Sequence, residues 1–128
     1  MIVTDACVLI AFLDSSDALH EQARSFMRDI AGQERGASTV TIAEVLVGPT
    51  RSGQLAEAED VLRALRLHEI TFRVDAPFRL AELRASTQLK LPDCCVLFAA
   101  QDSRADAVAT FDRRLRKVVE DHGFTVLP

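Results

Sequence analysis

The stretch MIVTDACVLIAFLD, Met1 to Asp14, opens on apolar and β-branched residues, sets one acid at position 5 and continues as an apolar run. That composition predicts a short strand followed at once by a helix, with the chain turning at Asp5. A carboxylate here interrupts what would otherwise be one continuous buried segment, and burying a charge without a partner is costly. Asp5 either caps the helix or takes part in chemistry.

Beyond Asp14, short β-branched runs keep alternating with segments of helical period, which predicts one α/β domain over residues 1–128 with a mainly parallel central sheet. Ser16 or Asp17 caps a helix with the apolar face Leu19, Ala23, Phe26, Met27 and Ile30, ending near Gly32. GAST is a short buried strand, and VTIAEVLVG a helix that ends near Gly48 and Pro49. Leu55, Ala58, Leu62 and Leu65 form the apolar stripe of the next helix. EITFRV alternates Ile70, Phe72 and Val74 as a strand does, and Asp75 caps a helix from Ala76 and Pro77 to about Leu89. LKLPDCCVLFAAQ is the following helix, AVAT a strand, DRRLRKVVEDHG a helix closed by Gly123, and FTVL the last strand.

Composition narrows the function. At 48% hydrophobic and 27% charged residues the chain is globular in type, and 128 residues bury enough surface to fold without a disulfide or structural metal. A net charge of −4 argues against a broad basic surface for nucleic acid, and without Trp or Tyr there is little material for a base-stacking platform. Any nucleic-acid substrate would be held by local Arg and Lys and by metal. Three cysteines, two of them adjacent, point to a reducing cytoplasm, and the N-terminus has neither a basic leader nor the length of a membrane span. The cysteines and the scattered His20, His68 and His122 lack zinc-site spacing.

Four acids fall in related places: Asp5 after the first strand, Glu44 on the helix after GAST, Asp93 at a helix start and Asp112 after AVAT. In a parallel sheet the carboxyl ends of the strands share one edge, where ligand sites form, so acids distant in sequence could meet there. Carboxylates within a few Å repel by about 1 to 4 kcal/mol per pair, and an oxygen-preferring cation such as Mg²⁺ or Mn²⁺ is the natural counter-charge. Each acid also has a plain structural reading. Asp93 suits a first helical turn, Glu44 completes a capping box with Thr41 as cap, and Asp112 starts its helix. In the run RRLRK, Arg114 and Lys117 read as solvated helix surface, while Arg113 and Arg116 are candidate phosphate contacts, with Arg51 and Arg84 on weaker grounds.

Taken together, IVTDACVLIAFLD, STVTIAEVLVG, LRASTQLKLPDCCVLFAA and VATFDRRL resemble, in order and spacing, the PIN-domain family and in particular its VapC toxin ribonucleases. The resemblance implies a three-layer α/β/α fold and a Mg²⁺- or Mn²⁺-dependent endoribonuclease, the toxin of a type II toxin-antitoxin pair, acting on RNA such as transfer RNA. It implies that Asp5, Glu44, Asp93 and Asp112 form the catalytic acidic cluster, with Asp5, Asp93 and Asp112 as metal ligands. Thr110 matches a hydroxyl residue near the family's site. A small antitoxin and a second copy of the chain are the implied partners, with no membrane. The family's usual hydroxyl two residues after the first aspartate is replaced by Cys7, a weaker hydrogen-bonding group. Two other readings remain open: a receiver-like Mg²⁺-binding signalling domain, and a catalytically silent PIN-like interaction module.

Overall fold

The computed structural model describes residues 1–128. The elements run β1 (Ile2–Thr4), α1 (Ala6–Leu13), α2 (His20–Asp29), β2 (Arg35–Ser38), α3 (Thr39–Ser52), α4 (Leu55–Ala64), β3 (Leu67–Ile70), α5 (Ala76–Thr87), α6 (Leu91–Ser103), β4 (Ala107–Ala109), α7 (Arg113–Asp121) and β5 (Thr125–Leu127). The strands form one sheet in the order β3-β2-β1-β4-β5, with every pairing parallel. Alternate residues of each central strand face opposite sides. Ile2, Ala107 and Ala109 join Leu9, Phe26, Met27 and Val45 in one core. Val3 and Val108 join Leu97, Phe98, Leu115 and Val119 in the other. Two cores flanking one sheet make the three-layer α/β/α architecture.

The chain leaves β1 outward through β2 to β3, then returns to place β4 on the other side of β1. The switch point between β1 and β4 is where open parallel sheets form ligand crevices at their carboxyl ends. Receiver domains follow the order 2-1-3-4-5, so this topology sets the receiver reading aside. Between β3 and β4, α6 runs through the interior, with Cys94 to Ala100 all buried. Its near-uniform apolar surface is that of a helix enclosed on most sides. No helix is long and apolar enough to cross a membrane.

Several boundaries differ from the sequence reading, each for a local reason. EITFRV is strand only to Ile70, because β3 lies at the sheet edge and its partner β2 ends at the paired Ser38. Phe72 packs on Phe98 instead, with ring centroids 5.3 Å apart, and Val74 is 97% exposed. Helix α3 continues through Pro49 to Ser52 and closes at Gly53, whose φ of 74° is the left-handed turn that Gly48 does not supply. Its cap is Ser38, whose Oγ accepts from the Thr41 amide at 3.0 Å, so the Thr41–Glu44 capping box does not form. Helix α2 begins at His20, after an Asx turn in which Asp17 Oδ1 accepts from the Leu19 amide at 2.8 Å. Asp75 stands at the N-cap of α5 without a side-chain cap bond and faces Arg73 at 3.7 Å.

Candidate active site

Asp5 ends β1 beside β4, its amide donating to the Ala109 carbonyl at 2.9 Å. It occupies the N-cap position of α1, yet its side chain caps nothing. The carboxylate is 7% exposed and accepts hydrogen bonds at Oδ2 from Thr110 Oγ1 at 2.7 Å and Cys7 Sγ at 3.0 Å. The capping account of Asp5 is thereby excluded, and a nearly buried acid at the switch point remains.

The other acids divide. Asp112 does cap: its Oδ1 accepts from the Arg114 and Leu115 amides at 2.7 and 2.9 Å. Its plain structural reading holds in full, while Oδ2 takes no part in that cap. Asp93 lies in the first turn of α6 and makes no cap bond, since Lys90 stands at the N-cap. Glu44 projects from the second turn of α3, clear of its cap.

Electrostatics tie these acids together. Burial first, then the charges of Asp5 and Asp93, push the Glu44 carboxyl above its ordinary value. Burial, followed by the charges of Asp5 and Asp112, raises Asp93 in the same way. The Asp5 charge acts on both Glu44 and Asp93, and that of Asp112 on Asp93, so these acids from the end of β1, from α3 and α6 and from the start of α7 lie within electrostatic reach of one another. No three His, Cys, Asp or Glu side chains close around a single point. An open set of this kind suits a hydrated divalent cation, which uses one or two carboxylates and keeps several waters. The donor chemistry fits as well: the acids are oxygen donors, and the Cys7 thiol is pushed up to about 12 by burial and by the Asp5 charge, which keeps sulfur protonated.

The basic residues separate differently from the expectation. The Arg116 guanidinium binds the Thr110 carbonyl at 3.4 Å and the carbonyl of Pro128, and it lies 4.0 Å from Glu120. It staples the turn after β4 to the end of β5. Arg113 is exposed at the start of α7. Arg51 and Arg84 are exposed at the ends of α3 and α5. Lys90 is a residue the sequence reading missed: exposed, it carries the one positive charge that draws down both Glu44 and Asp93. Its only sequence signal is a lysine three residues before Asp93.

Space is available beside the acids. A cleft of about 460 Å³ between α1 and α3 is lined by Glu44, Val45, Ile10, Leu13 and Asp14. A second groove, about 960 Å³, lies along α5 and contains none of the four acids.

The fold is a three-layer α/β/α domain, with Asp5 at the switch point of its sheet and Glu44, Asp93 and Asp112 within electrostatic reach of that acid or of one another. The PIN-domain family model matches residues 2–121, and the chain belongs to that family. Among solved structures it is similar to a chain of a toxin-antitoxin complex from Klebsiella pneumoniae, at 25% identity over 91% of this chain and 90% of that one, with a TM-score of 0.70. It is also similar to VapC20 of Mycobacterium tuberculosis, described as a sarcin-ricin loop cleaving toxin, at 14% identity over the whole of both chains and a TM-score of 0.76. FitAcB from Neisseria gonorrhoeae gives 17% identity over 100% and 97% of the chains, with a TM-score of 0.73. No curated protein matches in sequence.

Proposed function

We propose that this PIN-domain protein is a divalent-metal-dependent endoribonuclease and the toxin of a toxin-antitoxin pair, working in the cytoplasm. The observation that carries this reading is the nearly buried Asp5 at the switch point, whose charge, with those of Asp93 and Asp112, reaches Glu44 or Asp93. The Klebsiella neighbour, from a toxin-antitoxin complex, and VapC20, a sarcin-ricin loop cleaving toxin, support the role.

Asp5 and Asp93 would be the principal ligands of Mg²⁺ or Mn²⁺, with Asp112 beside them adding negative charge. The cation supplies Lewis acidity, lowering the pKa of a water and shielding charge at phosphorus. The protein's own groups do the rest. Glu44, with its raised proton affinity and its exposed position on α3, accepts the proton of the attacking water. Arg113 and Lys90, both exposed, position the phosphates flanking the scissile bond. Thr110 orients Asp5 through its 2.7 Å hydrogen bond.

A small antitoxin is the proposed protein partner, and a second copy of the chain another. The α5 face carries projecting Phe78 and Val74, 75% and 97% exposed, beside the groove lined by Phe72, Pro77, Leu80 and Leu91. A knob and a hole on one surface are what a two-fold, self-complementary contact requires.

Total RNA incubated with the purified protein and Mg²⁺ or Mn²⁺ tests the activity. Cleavage is expected, and chelator, Asp5→Asn or Asp93→Asn should each reduce it by about 100-fold or more. Cleavage that survives chelation and both substitutions overturns the site. A protein that cuts no RNA with either metal supports the silent-module reading.

A further inference from the structure

The contacts of Cys7 go beyond filling space in α1. Every hydrogen bond to the Asp5 carboxylate reaches Oδ2, from Thr110 at 2.7 Å and Cys7 at 3.0 Å. Cys7 Sγ also accepts from the Phe111 amide at 3.3 Å and stands 3.6 Å from Thr110 Oγ1. Thr110 Oγ1 in turn accepts from the Asp112 amide at 3.0 Å. Sulfur therefore gives its proton to Asp5 and takes one from the backbone between Thr110 and Asp112.

We propose that Cys7 is a positioning residue, one half of a clasp with Thr110 that locks Asp5 Oδ2 inward, presents Oδ1 alone to the pocket, and fixes the Thr110–Asp112 turn against α1. Its consequence for cation binding rests on the metal-pocket reading above; the clasp itself does not. Two donors on one carboxylate oxygen restrict rotation of the group and leave the other oxygen for a cation, as supporting hydrogen bonds do for metal-ligating carboxylates generally. The clasp also couples two acids that follow different strands, because the segment that holds Asp112 is anchored at Phe111 by the residue that holds Asp5. A serine would donate to Asp5 more strongly but, with a shorter bond to its hydroxyl, would reach the Phe111 amide less well. Thiol chemistry is not needed for this role.

Amide hydrogen exchange in the metal-free full chain, followed by Mn²⁺ calorimetry, separates the possibilities for Cys7→Ala and Cys7→Ser. Cys7→Ala is expected to speed exchange at Phe111 by about fivefold to tenfold while the α6 and β4 amides stay as slow as in the wild type. It should also weaken Mn²⁺ binding by about tenfold. Cys7→Ser should restore Mn²⁺ affinity and only part of the Phe111 protection. Wild-type exchange at Phe111 in Cys7→Ala, or unchanged Mn²⁺ affinity, would reduce Cys7 to packing. If the wild type takes up no Mn²⁺, the metal reading fails and Phe111 exchange alone judges the clasp.

Discussion

Asp5, Glu44, Asp93 and Asp112 all read as acids at element starts, but their side chains do different work. Asp112 caps α7, whereas Asp5 is held by Thr110 and Cys7 and caps nothing. Glu44 and Asp93 have folded-state pKa values above their ordinary ones, so ionising them costs stability. That cost is complete above the raised values, shrinks as pH falls through them, and is gone below the unfolded values. Asp93→Asn should therefore stabilise the metal-free protein at pH 7 and leave stability near pH 3 unchanged; urea titrations at the two pH values check this. Mn²⁺ affinity should fall as pH drops through the same window, because protons compete for the carboxylates. Arg113→Ala should weaken RNA binding evenly across sequences and lower the salt slope by about 1, measurable by filter binding at several salt concentrations.

Among the elements, α1, α6 and β5 follow their sequence patterns closely, since apolar runs bounded by acids, Pro92 and Gly123 leave little choice. The exceptions lie where a neighbour decides. β3 stops at Ile70 because the paired edge of β2 stops, and no alternation in EITFRV can extend a ladder without a partner. The Ser38 cap displaces Thr41 because β2 ends there and turns directly into α3. Ser38→Ala should cost about 1 kcal/mol, read from the shift of a chemical denaturation midpoint. Within β2, a Cβ on Gly36 would meet Met1 Sδ at 2.7 Å and Ile70 Cδ1 at 2.9 Å. Both are ends of flexible side chains, so Gly36→Ala should be tolerated better than Gly36→Val, which should cost about 2 kcal/mol by overpacking.

At the scale of the molecule, the sheet order sets the end of β1, with Asp5, beside the end of β4, and the α5 face is left with Phe78 and Val74 exposed. If that face joins two copies, Phe78→Glu should shift the protein from dimer to monomer in light scattering without changing its circular dichroism. A pocket of mutually repelling acids should also be stabilised by its cation. Mn²⁺ at about 100 times its Kd should add about 2.7 kcal/mol, seen as a rise in Tm that Asp5→Asn abolishes. The sequence by itself determined the α/β class, most of the elements and the four acids, because periodicity and end signals are local. The tertiary structure alone sets β4 beside β1, brings the Lys90 charge to Glu44 and Asp93, carries Arg116 to the Thr110 carbonyl, and lets Cys7 reach both Asp5 and Phe111. Those facts depend on contacts between segments up to about a hundred residues apart, set by the crossover of the chain, and no local pattern encodes them.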